Sequence, residues 1–149
     1  MKILKGDVIY SGCDILVNPV NCVGIMGAGL AKQFKIKFPK YFEQYVKLCK
    51  DKILSIGKPQ LYIDSKNEIS ILSFPTKNHY SENSKIDYIR KGLSYVKDNY
   101  CSFGISTSIA FPLLGCGLGG LDPLDVLCEI SLFDVDVENY NWDIYVYIN

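Results

Sequence analysis

A run of apolar residues at 105–112 leads directly into LGCGLGGLD at 114–122, nine residues of which four are glycine. Glycine this dense behind a strand-like segment brings backbone, not side chains, close to another group. Phosphate is the usual partner, because successive N–H groups converge on an anion and a following helix N-terminus adds partial positive charge. A turn with no ligand is the plain alternative.

The rest of the chain alternates strand-like and helix-like segments. Residues 2–10 and 13–17 read as strands, the second ending at Asn18-Pro19. After a second glycine-rich turn at 24–29, Leu30, Ala31, Phe34 and Phe38 repeat at helical spacing until Pro39. Residues 41–52 continue as a helix through Phe42, Tyr45, Val46 and Cys49, and Phe34, Phe38, Phe42 and Tyr45 are assigned to the core. Two strands at 57–63 and 68–74 share a polar turn, and a helix at 84–99 carries Ile86, Ile89, Leu93 and Val96 on one face. The segment from Ile105 to 112 has the composition of a central strand buried on both faces. Asp122 caps a helix that begins with Pro123 and runs to about Phe133, and residues 142–148 form a last strand. This order predicts an α/β fold, a three-layer α/β/α sandwich on a mixed, mostly parallel sheet, as a single domain over 1–149.

At 149 residues and 48% hydrophobic composition, the chain buries a core without staples. Neither disorder nor a coiled coil fits. No run approaches the ~20 apolar residues of a membrane span and the N-terminus lacks a signal peptide, so a cytoplasmic location without membrane association is expected. Six scattered cysteines and one histidine, with no CxxC pair, give no metal site and read as reduced, mostly buried thiols. All 16 basic residues lie within positions 1–100, whereas 101–149 holds seven acidic residues and no basic one. That asymmetry leaves room for a nucleic-acid face without establishing one.

Ligands of such sheets bind beyond the carboxyl ends of strands, and both glycine-rich loops occupy such ends. Neither is a Walker A loop nor a dinucleotide fingerprint. Two anion-cradling loops on one edge suit a diphosphate, and Asn18 and Asn21 add neutral hydrogen-bonding groups for sugar hydroxyls.

Four motifs carry a resemblance: GDV at 6–8, NPVN at 18–21, MGAGLA at 26–31 and GCGLGG at 115–120. With them the chain resembles a macrodomain, the ADP-ribose-binding α/β/α module, over essentially its full length. MGAGLAKQFK, FPTK at 74–77 followed by Asn78-His79-Tyr80, and PLLGCGLGGLD are most similar to the branch that holds the terminal ADP-ribose protein glycohydrolase and the DarG antitoxin macrodomains.

The resemblance implies that Asp7 hydrogen-bonds the adenine amino group beside the Val8 backbone, and that Tyr147 lies against the adenine. Met26, Gly27, Ala28 and Gly29, with Leu114, Gly115, Cys116, Gly117, Leu118 and Gly119, would hold the diphosphate and distal ribose. Asn18, Asn21 and Thr76 would complete the ligand site, Asn21 beside the distal ribose. Lys77 matches the catalytic lysine of the branch. The human-type glycohydrolase carries an aspartate where this chain has Gly119, so a mechanism through that acid does not carry over, and Gly119 to Asp122 is closer to the DarG pattern.

The expected activity is therefore an ADP-ribosyl glycohydrolase that frees a modified base in single-stranded DNA, needs no cofactor and requires no obligate protein partner. The alternatives are hydrolysis of ADP-ribose esters, on glutamate or as the 1″-phosphate, and a non-catalytic reader. Lys77 can serve as nucleophile or base if its amine is neutral, or assist the leaving group if protonated. His79 is a candidate proton shuttle or contact to the leaving base, against the plain reading of a turn residue. Tyr80 either stacks on a nucleobase or packs. Asp122 is a cap first and a carboxylate for catalysis second.

Overall fold

The computed structural model describes residues 1–100 and 106–149. Ile105, the expected first residue of the central strand, and Cys101 lie outside the described residues. Among the described residues six strands form one sheet: β1 (Lys2–Lys5), β2 (Ile15–Val20), β3 (Gln60–Asp64), β4 (Ile69–Pro75), β5 (Thr107–Phe111) and β6 (Trp142–Ile148). Their order is β1-β6-β5-β2-β4-β3, with every pair parallel except β3 against β4. Among the same residues four α-helices complete the layers: α1 (Gly29–Lys37), α2 (Pro39–Lys50), α3 (Ile86–Asn99) and α4 (Pro123–Asp136).

The central strands alternate side chains between two apolar layers, as the pleat requires. Ile15 and Val17 of β2, Leu72 and Phe74 of β4, and Ile109 and Phe111 of β5 join the layer formed with α3 and α4. Leu16 and Val20, Ile71, and Ala110 face the opposite way, into the layer of Phe34, Phe38, Tyr41 and Tyr45 from α1 and α2. The mixed, mostly parallel α/β/α architecture expected from the sequence is the one observed.

Several boundaries differ from the pattern, among them the start of β3 at Gln60 and the end of α4 at Asp136, and three of the differences have a visible cause. The first strand stops at Lys5, because the Asp7 carboxylate accepts the Ile9 N–H at 2.9 Å and starts a 3₁₀ turn over Val8–Tyr10. β2 runs on through Pro19 to Val20. Its register with β5 covers only Ile15 and Leu16, so beyond that point the β5 side needs no N–H from proline. The third helix starts at Ile86 and not at Ser84, whose N–H instead donates to the Gly119 carbonyl at 2.9 Å.

Of the core assignments, Phe34, Phe38 and Tyr45 are buried and Phe42 is half-buried. The described cysteines are free thiols, but only Cys13 is buried; Cys22, Cys49 and Cys116 are half-buried and Cys128 is exposed. Helix α4 presents that thiol outward. Among the described residues no helix is long and apolar enough to cross a membrane, and no group of three His, Cys, Asp or Glu side chains is placed to hold a metal.

Candidate functional site

The parallel strands β2, β4, β5 and β6 all end on one edge of the sheet, and the loops leaving them enclose a cleft of about 1110 Å³. Pro19, Val20 and Asn21 enter it from β2, Thr76 and Lys77 from β4, Pro112 and Leu113 from β5, and Tyr147 and Ile148 from β6. The first glycine loop supplies Met26, Gly27, Ala28 and Gly29, and the second supplies Gly115, Cys116, Gly117, Leu118 and Gly119. The two loops are thus facing parts of one cavity.

The two helix N-termini on this edge are not equivalent. Asp122 caps α4 by accepting the Leu124 N–H at 2.9 Å, and Asp125 adds a negative charge in its first turn. Ala28, at the cap position of α1, has no side-chain acceptor, and no acidic residue lies in the first turn of that helix. The first helical bond is Lys32 N–H to the Ala28 carbonyl, so the earlier amides and the positive end of the dipole are left for an external anion. Gly29, Leu30 and Ala31 line the cleft there. The second loop adds to this supply, because among the described residues the N–H groups of Gly115, Gly117, Leu118 and Gly119 have no protein acceptor.

The second loop is built around its glycines. Gly115 has φ +74°, and a Cβ there would lie 2.8 Å from Leu121. At Gly119 a Cβ would lie 2.5 Å from the Gly115 carbonyl oxygen and would overlap the Ser84 Oγ. No side chain fits at Gly119, so the aspartate of the human-type branch has no room in this loop as it stands. Leu114, fully buried, anchors the loop to the apolar layer below. The Cys116 thiol, whose Sγ lies 3.6 Å from the Leu114 carbonyl, is pushed up to about 11 by burial and secondarily by Asp122 and Asp125. It stays protonated at neutral pH and is a poor nucleophile.

Asn21 lines the cleft with its side chain already engaged. Its Nδ2 donates to the Ile25 carbonyl at 2.8 Å, and its Oδ1 accepts from the Val23 N–H at 3.1 Å and from the Tyr45 hydroxyl at 2.8 Å. These bonds shape the loop that leads to Gly27. Asn18 is placed elsewhere: it is fully buried, donates to the Tyr41 hydroxyl at 2.9 Å, and is not among the cleft residues. Leu16, Asn18 and Val20 share one face of β2 by the two-residue period, and that face packs on α1 and α2. The polar side chain there belongs to a buried network in which the Tyr41 hydroxyl also pairs with Ser73 Oγ at 2.6 Å.

At the β6 end, Tyr147 lines the cleft and Gly6 N–H donates to the Ile148 carbonyl at 2.9 Å, which carries Asp7 and Val8 to the neighbouring rim. Neither Asp7 nor the buried Val8 lines the cleft itself. At the β4 end, Thr76 is buried and its N–H donates to the Val20 carbonyl at 2.9 Å, whereas Lys77 is half-buried with its Nζ 3.4 Å from the Tyr80 carbonyl oxygen. Among the described residues that line the cleft, Lys77 is the only one with a charged side chain.

His79 does not line the cleft: its Nδ1 accepts the Ser81 N–H at 3.1 Å and lies 2.7 Å from Ser81 Oγ. Tyr80 does line it, with its ring centroid 4.1 Å from that of His79. Sequence reasoning did not single out Ser84, whose buried Oγ has no hydrogen-bond partner and whose side chain lies against both Gly115 and Gly119. The apolar lips of Ile3, Ile25 and Leu127 were equally unforeseen, their only signal being hydrophobic residues at element ends.

The Macro domain family model matches residues 17–129. A DNA ADP-ribosyl glycohydrolase of Mycobacterium tuberculosis is 41% identical over 126 residues, which is 82% of this chain and 35% of that protein. The chain thus spans about a third of the length of the curated relatives it matches. Among solved structures, the macrodomain of Mycobacterium tuberculosis DarG is 36% identical with a TM-score of 0.90, covering 99% of this chain and 97% of that one. Thermosipho africanus DarTG in complex with ADP-ribose is 34% identical with a TM-score of 0.88, covering 99% and 41% respectively.

Proposed function

Because this chain belongs to the Macro domain family, we propose that it is a glycohydrolase that removes ADP-ribose from a modified base in single-stranded DNA. The names of its relatives support the substrate class, and the cleft supports the chemistry. The diphosphate lies between the uncapped start of α1 and the free amides of the second glycine loop, where backbone dipoles replace its hydration. Tyr147 takes the adenine end, with Asp7 at the rim, and Asn21 borders the distal ribose.

Hydrolysis breaks the bond from C1″ of the distal ribose to the base. Water adds its oxygen to C1″, and the base leaves with the bonding electron pair and gains a proton. The observation that carries the assignment of Lys77 is that its amine is the one charged side chain among the described lining residues. An ammonium opposes the positive charge that develops on the ribose ring, so it acts best on the side of the leaving base, to which it delivers a proton, and the proton shed by the attacking water restores the ammonium. Asp122 is engaged as the cap of α4 and His79 does not line the cleft, so neither competes for this role.

The test is release of ADP-ribose from an ADP-ribosylated single-stranded oligonucleotide. The wild-type chain is expected to turn it over, with Lys77→Ala at least about 100-fold slower, the range of a lost general acid. Absence of release, or equal release by Lys77→Ala, overturns the assignment. ADP-ribose 1″-phosphate in a parallel reaction separates this activity from ester hydrolysis, because a base-specific enzyme leaves it intact.

A further inference from the structure

Tyr80 is 54% exposed, yet its ring is held. It packs on the His79 imidazole at 4.1 Å and 33°, and the imidazole is fixed in turn by Ser81 through its N–H and Oγ. The segment that carries the pair is closed by a turn bond, Glu82 N–H to the His79 carbonyl, and tied to both loops, by Cys22 N–H to the Asn78 carbonyl and Ser84 N–H to the Gly119 carbonyl. An exposed tyrosine alone means little. This one is backed by a second ring, fixed to both glycine-loop walls, and lines the same cleft as Lys77, whose amine approaches the Tyr80 carbonyl.

From this geometry we infer that Tyr80, backed by His79, is the platform on which the modified base stacks while ADP-ribose occupies the cleft. The inference rests on the DNA-base reading above. A base whose anomeric bond is to be cut must leave the stack of its neighbours to bring C1″ beside Lys77, and it loses their π-contacts in doing so. A ring already ordered at the rim restores that contact with little further loss of side-chain freedom. Stacking accepts any base, so Tyr80 supplies a preference for nucleic-acid conjugates over ADP-ribose esters of amino acids and not a preference among bases.

The experiment compares Kd for an ADP-ribosylated single-stranded oligonucleotide with Kd for ADP-ribose, both in a Lys77→Ala background so that neither ligand is consumed. The oligonucleotide is expected to bind more tightly, and Tyr80→Ala to reduce the ratio of the two affinities about ten-fold, as stacked-base substitutions do. Tyr80→Trp and Tyr80→Phe should keep the ratio, whereas Tyr80→Leu, apolar but without a π-face, should lose it. An unchanged ratio in Tyr80→Ala, or a ratio retained by Tyr80→Leu, overturns the platform. Failure of the wild-type chain to cleave the oligonucleotide would remove the glycohydrolase reading but leave this ratio to be read on its own.

Discussion

Gly119 and Ser84 illustrate how a single contact decides what chemistry a loop can hold. A methyl group at Gly119 meets the Gly115 carbonyl oxygen at 2.5 Å, an atom of the backbone that cannot turn aside. Gly119→Ala is therefore expected to weaken ADP-ribose binding by about 5–150-fold, the equivalent of ~1–3 kcal/mol of overpacking, as read by calorimetry. Ser84→Gly in the same chain should restore only part of the loss, since it removes one of the two obstructions. Full affinity in Gly119→Ala would mean that the loop opens at no cost. The glycine spacing was legible in the sequence because backbone approach leaves a compositional trace. Ser84 was not, because it meets Gly119 across 35 residues of chain and nothing local marks the contact. Asn18 was misplaced for a different reason: the motif drew it toward the ligand, although its two-residue spacing from Leu16 and Val20 already put it on the inner face.

At the scale of elements, the helix and strand types were legible wherever an apolar face repeats at a fixed period, and the ends were lost wherever a capping or cross-chain bond cut the pattern short. Asp7 ends one strand and Ser84 delays one helix by such bonds. Helix α3 shows what periodicity cannot convey, namely how close an element comes. Gly92 faces Phe74 of β4, and a Cβ there would approach the ring to 2.7 Å at Cε1 and closer still at Cζ. In an exposed helix, glycine to alanine gains up to about 1 kcal/mol of helix propensity. Here the sign reverses, because α3 must lift from the sheet or Phe74 must leave its rotamer. Gly92→Ala is expected to lower Tm by about 3–8 °C, measured by scanning calorimetry, with Phe74→Leu in the same chain recovering part of the shift. A raised Tm for Gly92→Ala would refute the close packing of α3 on β4.

Across the whole molecule, tyrosine hydroxyls from α2 join the sheet to the cleft. Tyr41 ties α2 to Ser73 of β4 and Asn18 of β2, and Tyr45 ties it to Asn21 at the cleft. Burial raises the pKa of both phenols, foremost among its causes, and pushes the Cys22 thiol up from 9.0 to about 11. In the unfolded chain these groups ionise at their ordinary values, about 9 for the thiol and about 10 for the phenols. Above pH 9 the unfolded state therefore holds fewer protons than the folded one, and stability falls as pH rises, by about 1.4 kcal/mol per pH unit for each group in its window. Urea titrations from pH 7 to 11.5 should give a decline that begins near pH 9 and steepens above 10. Tyr41→Phe should flatten the decline above pH 10 by about one group's slope. It should also cost about 1–3 kcal/mol at neutral pH, where Asn18 and Ser73 lose their partner. A wild-type profile flat to pH 11.5 would mean that the phenols ionise without leaving their bonds, and that α2 does not depend on them to hold the cleft loop.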